Sequence, residues 1–281
     1  MKLVAYLTRK SRQIDAALDR LLPRTATPPR AIHQAMRYSV FAGGKRLRPV
    51  LCVAACELVG GDVRRALPTA CALECIHTYS LIHDDLPAMD DADMRRGKAS
   101  LHKAFDEGLA ILAGDALLTI AFELIAQSDA EPSVRVAVLH DIARAIGTTG
   151  LIGGQVMDLA WLNKTNGHRP APRPSAVTLR DIARRKTGAL ITVSLVAGAR
   201  LGGATAAQQR RIARYGETVG LAFQIVDDVM DGDGVARATS RQRARAEAAA
   251  LIEDAKRQLR PFGASADCLR ALADFVVTRS S

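Results

Sequence analysis

The feature that most limits how this chain can fold is an apolar period of three to four residues that continues through almost its whole length. Short turn sequences such as Pro28-Pro29, Gly43-Gly44 and Gly202-Gly203 interrupt it, and no stretch shows the alternation of a strand. The period predicts helices at 3–22, 31–42, 49–59, 66–84, 108–127, 133–146, 152–163, 179–198, 206–227, 240–260 and 266–279, with a loop at 166–175.

Composition supports the same fold class. Aromatic residues make up only 4% of the 281 residues, while hydrophobic residues make up 48% and charged residues 24%. A sandwich or barrel usually carries more aromatic and β-branched residues, in alternating runs. No composition shift marks a domain boundary, so we predict one all-α domain over residues 1–281 that forms a single large helical bundle.

Aspartates cluster at the ends of two strongly apolar helical stretches. DDLPAMDDAD begins at Asp84, and DDVMD begins 143 positions later at Asp227. Carboxylates at helix C-termini need a compensating cation, because those ends carry partial negative charge. Asp231 shares a helical face with Asp227, and Pro87 is expected to bend the chain so that Asp90 returns toward Asp84. Two such clusters facing each other predict a site for Mg²⁺, which takes few carboxylates and leaves positions for water and phosphate oxygens.

Two basic segments accompany these acids. GGKRLRP occupies residues 43–49, and RRGK at 95–98 directly follows the first acidic cluster. Either segment alone is explained as a solvated charge patch. Together with the acids they indicate a polyphosphate ligand, held by metal ions on one face and by Arg and Lys on the other.

The net charge of +10 also fits nucleic acid or an anionic membrane. The arginine-rich stretch 237–260 has the pattern of a solvated amphipathic helix, and no zinc-finger, RNP-type or glycine-rich phosphate-loop motif accompanies it. We therefore expect no nucleic-acid partner. Asp115, Thr119 and Glu123 interrupt the longest apolar stretch, 109–126, at helical spacing, so we expect a buried helix whose polar stripe faces a cavity or partner, with no stable membrane insertion.

The cysteines indicate a reducing compartment. Cys52, Cys56, Cys71 and Cys75 form two i,i+4 pairs in small-residue helical stretches, which favours core packing over a four-cysteine metal site. The N-terminal apolar run is too short for a signal peptide. We expect reduced thiols and a cytoplasmic protein.

Six segments resemble the trans-isoprenyl diphosphate synthase family, and bacterial farnesyl diphosphate synthases in particular. They are GGKRLRP at 43–49, ECIHTYSLIHDDLPAMDDADMRRGK at 74–98, LAGDALL at 112–118, GGQVMDL at 153–159, RRKTGALI at 184–191 and GLAFQIVDDVMD at 220–231. The resemblance covers the chain from about residue 30 nearly to its end. It implies a helical bundle around a deep central cavity, and a homodimer.

The resemblance also implies the chemistry. An allylic diphosphate ionises, the double bond of isopentenyl diphosphate attacks the carbocation, and loss of a proton leaves a chain five carbons longer. Diphosphate departs only if its developing charge is stabilised, and the cation survives only if water is excluded. The family uses Mg²⁺, with three ions per active site when substrate is bound.

Residue roles follow from the same resemblance, position by position. The metal ligands would be Asp84, Asp85, Asp90, Asp227, Asp228 and Asp231. The allylic substrate would contact Arg95, Lys186, Thr187 and Gln224. Isopentenyl diphosphate would be held by Lys45, Arg48, His77 and Arg96, although a histidine on an apolar helix is ordinarily a core residue. Gln155 and Asp158 would line the cavity.

Chain length in this family depends on bulk just before the first acidic cluster. Tyr79 lies five positions ahead of Asp84. A ring there would form the cavity floor and stop growth at C15, so the resemblance favours farnesyl diphosphate, with geranylgeranyl diphosphate as the alternative.

One departure from the family pattern follows Asp231. Relatives carry a longer segment there, with a lysine that closes over the diphosphate, whereas here no lysine occurs between Lys186 and Lys256. Either the segment is truly absent, which favours a non-catalytic homologue, or this sequence leaves out a mobile lid. The helical character of 235–240 favours the second explanation. A class I terpene cyclase shares the cavity, but the aspartates of 227–231 and GGKRLRP argue against it.

Overall fold

The computed structural model describes residues 3–161 and 174–278, and they form an almost purely helical protein. The helices are α1 Leu3–Leu21, α2 Arg30–Val40, α3 Leu47–Leu58, α4 Val63–Asp84, α5 Leu101–Ala104, α6 Glu107–Ala126, α7 Pro132–Ile146, α8 Leu151–Trp161, α9 Ala176–Ala183, α10 Ala189–Leu201, α11 Ala206–Asp231, α12 Gly234–Ala238, α13 Arg241–Gln258 and α14 Asp267–Thr278. A π-helical segment, Arg184–Gly188, joins α9 to α10, and a 3₁₀ segment, Arg260–Ala266, precedes α14. The all-α prediction is confirmed.

The expectation that no strand forms is wrong at one place. Met94–Arg95 and Lys98–Ala99 pair as a two-residue antiparallel hairpin, β1 and β2. Arg96 and Gly97 at its tip both have positive φ, of 53° and 76°. Two positive φ angles in a two-residue loop make a type I′ turn, which the twist of a hairpin favours. The segment is too short to show alternation, so the periodicity does not reveal it. Most of the predicted loop at 166–175 lies outside the described residues.

Helices α4 and α10 lie at the centre of the bundle. Helix α4 packs against α3 and α6, and α10 packs against α3, α7 and α11. Helices α3 and α10 approach closely at Gly198, where a Cβ atom would overlap the carbonyl of Cys52. The four cysteines at i,i+4 spacing, Cys52, Cys56, Cys71 and Cys75, are free thiols buried in this region, and burial raises the pKa of each. No group of three or more His, Cys, Asp or Glu side chains arranged to hold a metal ion occurs in the described part of the chain.

Helix α6 presents one face to the core and the other to solvent. Residues such as Ala113, Leu117 and Ala121 are fully buried against the core. The predicted polar stripe of Asp115, Thr119 and Glu123 is exposed instead of facing a cavity. Among the described residues, α6 is the single helix long and apolar enough to cross a membrane by length and composition.

Candidate active site

The first acidic cluster begins where α4 ends. The chain turns back after Asp84, and the Asp90 amide donates to the Asp84 carbonyl oxygen at 2.8 Å. The predicted return of Asp90 around Pro87 is therefore confirmed. Burial raises the pKa of Asp84 to about 6; Lys186 opposes this shift, and the nearby Asp90 adds to it. A carboxylate held in this way gains from any cation that enters beside it.

Asp85 and Arg95 pair with each other. Asp85 is buried and accepts from Arg95 Nε at 3.0 Å, with a second contact from the same guanidinium. The salt bridge fixes hairpin β1–β2 against the end of α4, and it raises the pKa of Arg95. The resemblance predicts Asp85 as a metal ligand and Arg95 as a contact of the allylic substrate. In this structure each is the other's partner.

The second acidic cluster lies on the last turns of α11, which continues as a regular helix to Asp231 instead of ending at the predicted residue 227. The capping box of Thr205 and Gln208 starts this helix. Near its end a chain of hydrogen bonds crosses from the π segment: Thr187 Oγ1 donates to Gln224 Oε1 at 2.9 Å, and Gln224 Nε2 donates to Asp228 Oδ1 at 3.0 Å. The second Asp228 oxygen accepts from the Val235 amide at 2.8 Å. Asp228 thus anchors the start of α12, although burial raises its pKa.

The π segment carries the two predicted substrate contacts Lys186 and Thr187. Single π turns inside helices are frequent at functional sites. Lys186 Nζ donates to Asp158 Oδ2 on α8 at 2.6 Å. Gly154 allows α8 to approach, because a Cβ atom there would overlap the backbone of Lys186. The next residue, Gln155, is buried, and its Oε1 has no hydrogen-bond partner among the described residues.

These elements enclose an acid-lined cavity of about 280 Å³. Its walls contain four carboxylates and one ammonium group, so it attracts cations. The lining residues are Asp158, Leu179, Ile182, Ala183, Lys186, Thr187, Gln224, Asp228, Asp231, Asp233 and Gly234. Within residues 3–161 and 174–278, no three ligating side chains converge on one point. Mg²⁺ fits such a donor set, because it uses one or two carboxylates and completes its shell with water and phosphate oxygens. Asp227 lies half-buried on the same helix, and Asp90 is exposed beside Asp84.

Arg46, Arg48, His77 and Arg96 form a cationic cluster beside Glu74, called the cationic pocket below; Arg46 is buried and the other three are half-buried. Burial lowers the pKa of Arg48 to about 10, and burial together with the neighbouring arginines lowers the pKa of His77 well below its ordinary value. The buried Nε of Arg48 has no hydrogen-bond partner in the described chain. Desolvated cations with unused donors suit an anion. Lys45 is exposed next to this pocket.

The sequence analysis gives no role to three charged residues of this region, Asp15, Arg46 and Glu74. Arg46 is buried in a left-handed conformation and pairs with Glu74 on α4 and Asp15 on α1, each at 2.8 Å. The sequence signal that could have revealed this ion pair is Glu74, an acidic residue in an otherwise apolar stretch one turn before His77. A buried acid of that kind requires a cationic partner.

Tyr79 lies in the apolar wall behind Asp84. It is 5% exposed, packs edge-on against His83 with ring centroids 5.8 Å apart, and its hydroxyl has no hydrogen-bond partner among the described residues. Burial, and secondarily Asp84, raises its pKa to about 12. The ring therefore stays neutral and fills space below the first acidic cluster.

Residues 29–244 match the sequence profile of the family described as polyprenyl synthetase. The chain belongs to the polyprenyl synthetase family. The match leaves out α1, whose Asp15 nonetheless reaches the cationic pocket.

Known proteins similar to this polyprenyl synthetase carry several activity names. It is 44% identical to a dimethylallyltranstransferase of Fischerella ambigua, over 98% of this chain and 83% of that protein. It is 42% identical to a geranylgeranyl diphosphate synthase of Cyanophora paradoxa, over 99% of this chain and 97% of that protein. A crystal structure of an FPP/GFPP synthase from Zymomonas mobilis superposes with a TM-score of 0.90 at 40% identity, covering 98% of this chain and 99% of the other. The alignment with the Fischerella protein extends over 296 positions, so that protein has residues with no counterpart among these 281.

The polyprenyl synthetase fold thus brings the predicted site residues into two groups. Lys186, Thr187, Gln224, Asp228 and Asp231 surround the acid-lined cavity. Arg48, His77 and Arg96 form the cationic pocket with Arg46. Asp84 and Tyr79 lie on α4, with Asp84 within the electrostatic reach of Lys186.

Proposed function

We propose that this polyprenyl synthetase is a Mg²⁺-dependent prenyltransferase that joins isopentenyl diphosphate to dimethylallyl and geranyl diphosphates and releases farnesyl diphosphate. The observation that carries the proposal is that the structure contains both an acid-lined cavity, whose Lys186 is within electrostatic reach of Asp84 at the end of α4, and a cationic pocket around His77 on the same helix. One site suits a diphosphate accompanied by metal ions, and the other suits a diphosphate held by side chains alone.

In this proposal the acid-lined cavity receives the allylic diphosphate. Its C1–O bond breaks with both electrons going to the leaving diphosphate. When bound, Mg²⁺ would neutralise charge on that group, held by Asp84 and Asp90 on one wall and by Asp227 and Asp231 on the other. Lys186 is aimed into the cavity by its bond to Asp158 and supplies a further positive charge. Thr187 and Gln224 are mutually oriented and offer polar contacts beside it.

Isopentenyl diphosphate would bind in the cationic pocket. Arg48 and Arg96 would donate to its phosphate oxygens, with Lys45 at the rim. The pKa of His77 lies far below its ordinary value, so a neutral imidazole would contribute a hydrogen bond without adding charge. The homoallylic double bond then attacks the allylic cation and a C–C bond forms; the adjacent carbon gives a proton to the released diphosphate, and the C–H electron pair becomes the new double bond. The two pockets position the reactants, which is the main way a reaction without a protein nucleophile is accelerated.

Product length in this proposal depends on Tyr79. A neutral, buried ring on α4 five positions before Asp84 would limit the length of a chain that grows toward it, and this supports C15. Geranylgeranyl diphosphate is the second candidate, because the Cyanophora relative is named as a synthase of that product.

The test is incubation of the purified protein with dimethylallyl diphosphate, labelled isopentenyl diphosphate and Mg²⁺, followed by chromatographic sizing of the product. A C15 product supports the proposal, and C20 supports the second candidate. Loss of turnover with a chelator, and recovery with added Mg²⁺, checks the metal. A folded protein without any product would indicate a non-catalytic homologue.

A homodimer and a cytoplasmic location are part of the same proposal. Ile111 and Leu112 on α6 are 45% and 59% exposed, and Ile152 and Val156 on α8 are also exposed. Large apolar side chains exposed on a helix are typical of an association surface. The five free cysteines are compatible with a reducing compartment.

A further inference from the structure

A single buried carboxylate faces the cationic pocket. Glu74 on α4 is 1% exposed. Its Oε1 accepts from Arg46 Nη1 at 2.8 Å and lies 3.7 Å from Arg96 Nη2. A full negative charge here weakens the attraction of the pocket for any anion. Its presence therefore needs a reason other than charge.

The two arginines that Glu74 contacts lie on separate loops, and both loops have strained backbones. Arg46 has φ of 48° and Arg96 has φ of 53°, in the left-handed region that non-glycine residues seldom adopt. Each guanidinium also bonds to a loop or helix-end carbonyl: Arg46 Nη2 to Val40 at 2.7 Å, and Arg96 Nη1 to Gly43 at 2.7 Å. Both arginines share the Glu74 carboxylate, which accepts a hydrogen bond from Arg46 and forms an ion pair with Arg96.

The position of Glu74 on α4 links these loops to His77. Residues three apart on a helix lie on neighbouring positions of one face. Glu74 therefore fixes the glycine turn before α3 and the tip of hairpin β1–β2 relative to the imidazole. Asp15 strengthens the arrangement from the other side, with its Oδ1 2.8 Å from Arg46 Nε.

We propose that Glu74 is a positioning residue for the binding of isopentenyl diphosphate. Glu74 holds Arg46 and Arg96 so that Arg48, Arg96 and His77 converge on one diphosphate group. The inference rests on the proposed function, in which this pocket binds that substrate. Glu74 itself does not contact the substrate.

The sign of the effect of Glu74→Gln separates positioning from charge tuning. Glutamine keeps the shape of the side chain but removes the charge that opposes an anion. If Glu74 only moderates the charge, the variant binds isopentenyl diphosphate more tightly. If Glu74 positions the arginines, the variant binds it more weakly, because hydrogen bonds to a charged partner are lost.

The experiment is calorimetric titration of isopentenyl diphosphate into protein without an allylic substrate, combined with steady-state kinetics. For Glu74→Gln we expect the Kd and the KM for isopentenyl diphosphate to rise by about tenfold, while the KM for the allylic substrate changes by less than about threefold. Glu74→Asp, which keeps the charge with a shorter reach, should lie between the variant and the wild type. The matched control is Glu57→Gln on α3, whose carboxylate pairs with Tyr6 and Lys10, and which should leave both constants unchanged.

Unchanged or tighter binding by Glu74→Gln would overturn the inference, as would an equal rise in both KM values. If that variant does not fold, Arg46→Lys replaces it, since lysine keeps the charge but cannot reach Glu74, Asp15 and Val40 together; the same selective loss is expected. A wild-type protein that fails to bind isopentenyl diphosphate would instead contradict the proposed function, and the inference with it.

Discussion

Asp84 ends the central helix in a place where its ionised form is costly to the fold. Burial raises the pKa of this carboxyl group to about 6, against an ordinary value of about 4. The folded state is therefore penalised as the pH rises from about 4 to about 6, and the full penalty remains above that range. A divalent cation bound beside Asp84 would offset this penalty. The metal-free protein is therefore less stable because it carries a carboxylate suited to binding metal.

Replacing Asp84 by Asn should stabilise the metal-free protein at pH 8. A pKa difference of about two units corresponds to roughly 1–3 kcal/mol in the free energy of unfolding. The gain should be nearly gone at pH 3, where the wild-type carboxyl group is protonated in the folded state and mostly protonated in the unfolded state. Denaturant unfolding at the two pH values, without Mg²⁺, measures it. A wild type that is more stable than the variant at pH 8 would contradict the assigned cause of the shift.

Tyr79 allows a test of the cavity floor. Tyr79→Ala should lengthen the product beyond C15 and lower the free energy of unfolding by about 3 kcal/mol, because it removes a buried ring. Tyr79→Phe is the matched control: it keeps the ring and removes a hydroxyl that has no partner in the described chain, so product length and stability should both persist. Chromatography of the prenyl products measures their chain length. An unchanged C15 product in Tyr79→Ala would mean that another residue forms the cavity floor.

At the scale of elements, the sequence predicted what local physics controls. Helical periodicity located the helices, and Pro87 predicted the return of Asp90. Features that depend on distant contacts were missed. The bond between Arg46 and Glu74 joins residues 28 apart, and the π turn at Lys186 lies against α8, which approaches closely at Gly154. Neither leaves a periodic signal in the chain.

The junction between α11 and α12 is the element that most directly shapes the acid-lined cavity. Gly234 has φ of 50°, and a Cβ atom there would overlap the Asp228 carboxylate. Gly263, in the 3₁₀ segment, has φ of 57° but no atom within 4 Å of the corresponding position. Both glycines have a positive φ, Gly263 with a ψ of −141°, and a Cβ atom would meet another group only at Gly234.

Gly234→Ala should therefore cost more than Gly263→Ala. Each alanine costs about 1–3 kcal/mol because its φ is positive, and Gly234→Ala also displaces Asp228 from Gln224 and from the Val235 amide. We expect Gly263→Ala to keep its activity and Gly234→Ala to lose both stability and turnover. Thermal unfolding and a product assay on both variants check this. Equal effects in the two would mean that the Asp228 contact does not organise the cavity.

At the scale of the whole molecule, the exposed apolar residues of α6 predict association. Leu112→Glu should convert the proposed dimer to a monomer, because it puts a charge into a surface that would be buried. Val4→Glu is the control, since Val4 on α1 is 72% exposed and lies apart from α6. Light scattering coupled to size exclusion gives the mass of each form. A wild type that is monomeric at micromolar concentration would contradict the proposed homodimer.

The central claim is that two acidic walls, one at the end of α4 and one at the end of α11, hold one substrate diphosphate through metal ions. The most direct test is the rate of condensation of isopentenyl diphosphate with an allylic diphosphate by wild type, Asp84→Ala and Asp227→Ala at saturating Mg²⁺. The account predicts that each variant stays folded and loses about 100-fold or more in turnover, the range seen when one group that stabilises developing charge is removed. Wild-type turnover in either variant would contradict it.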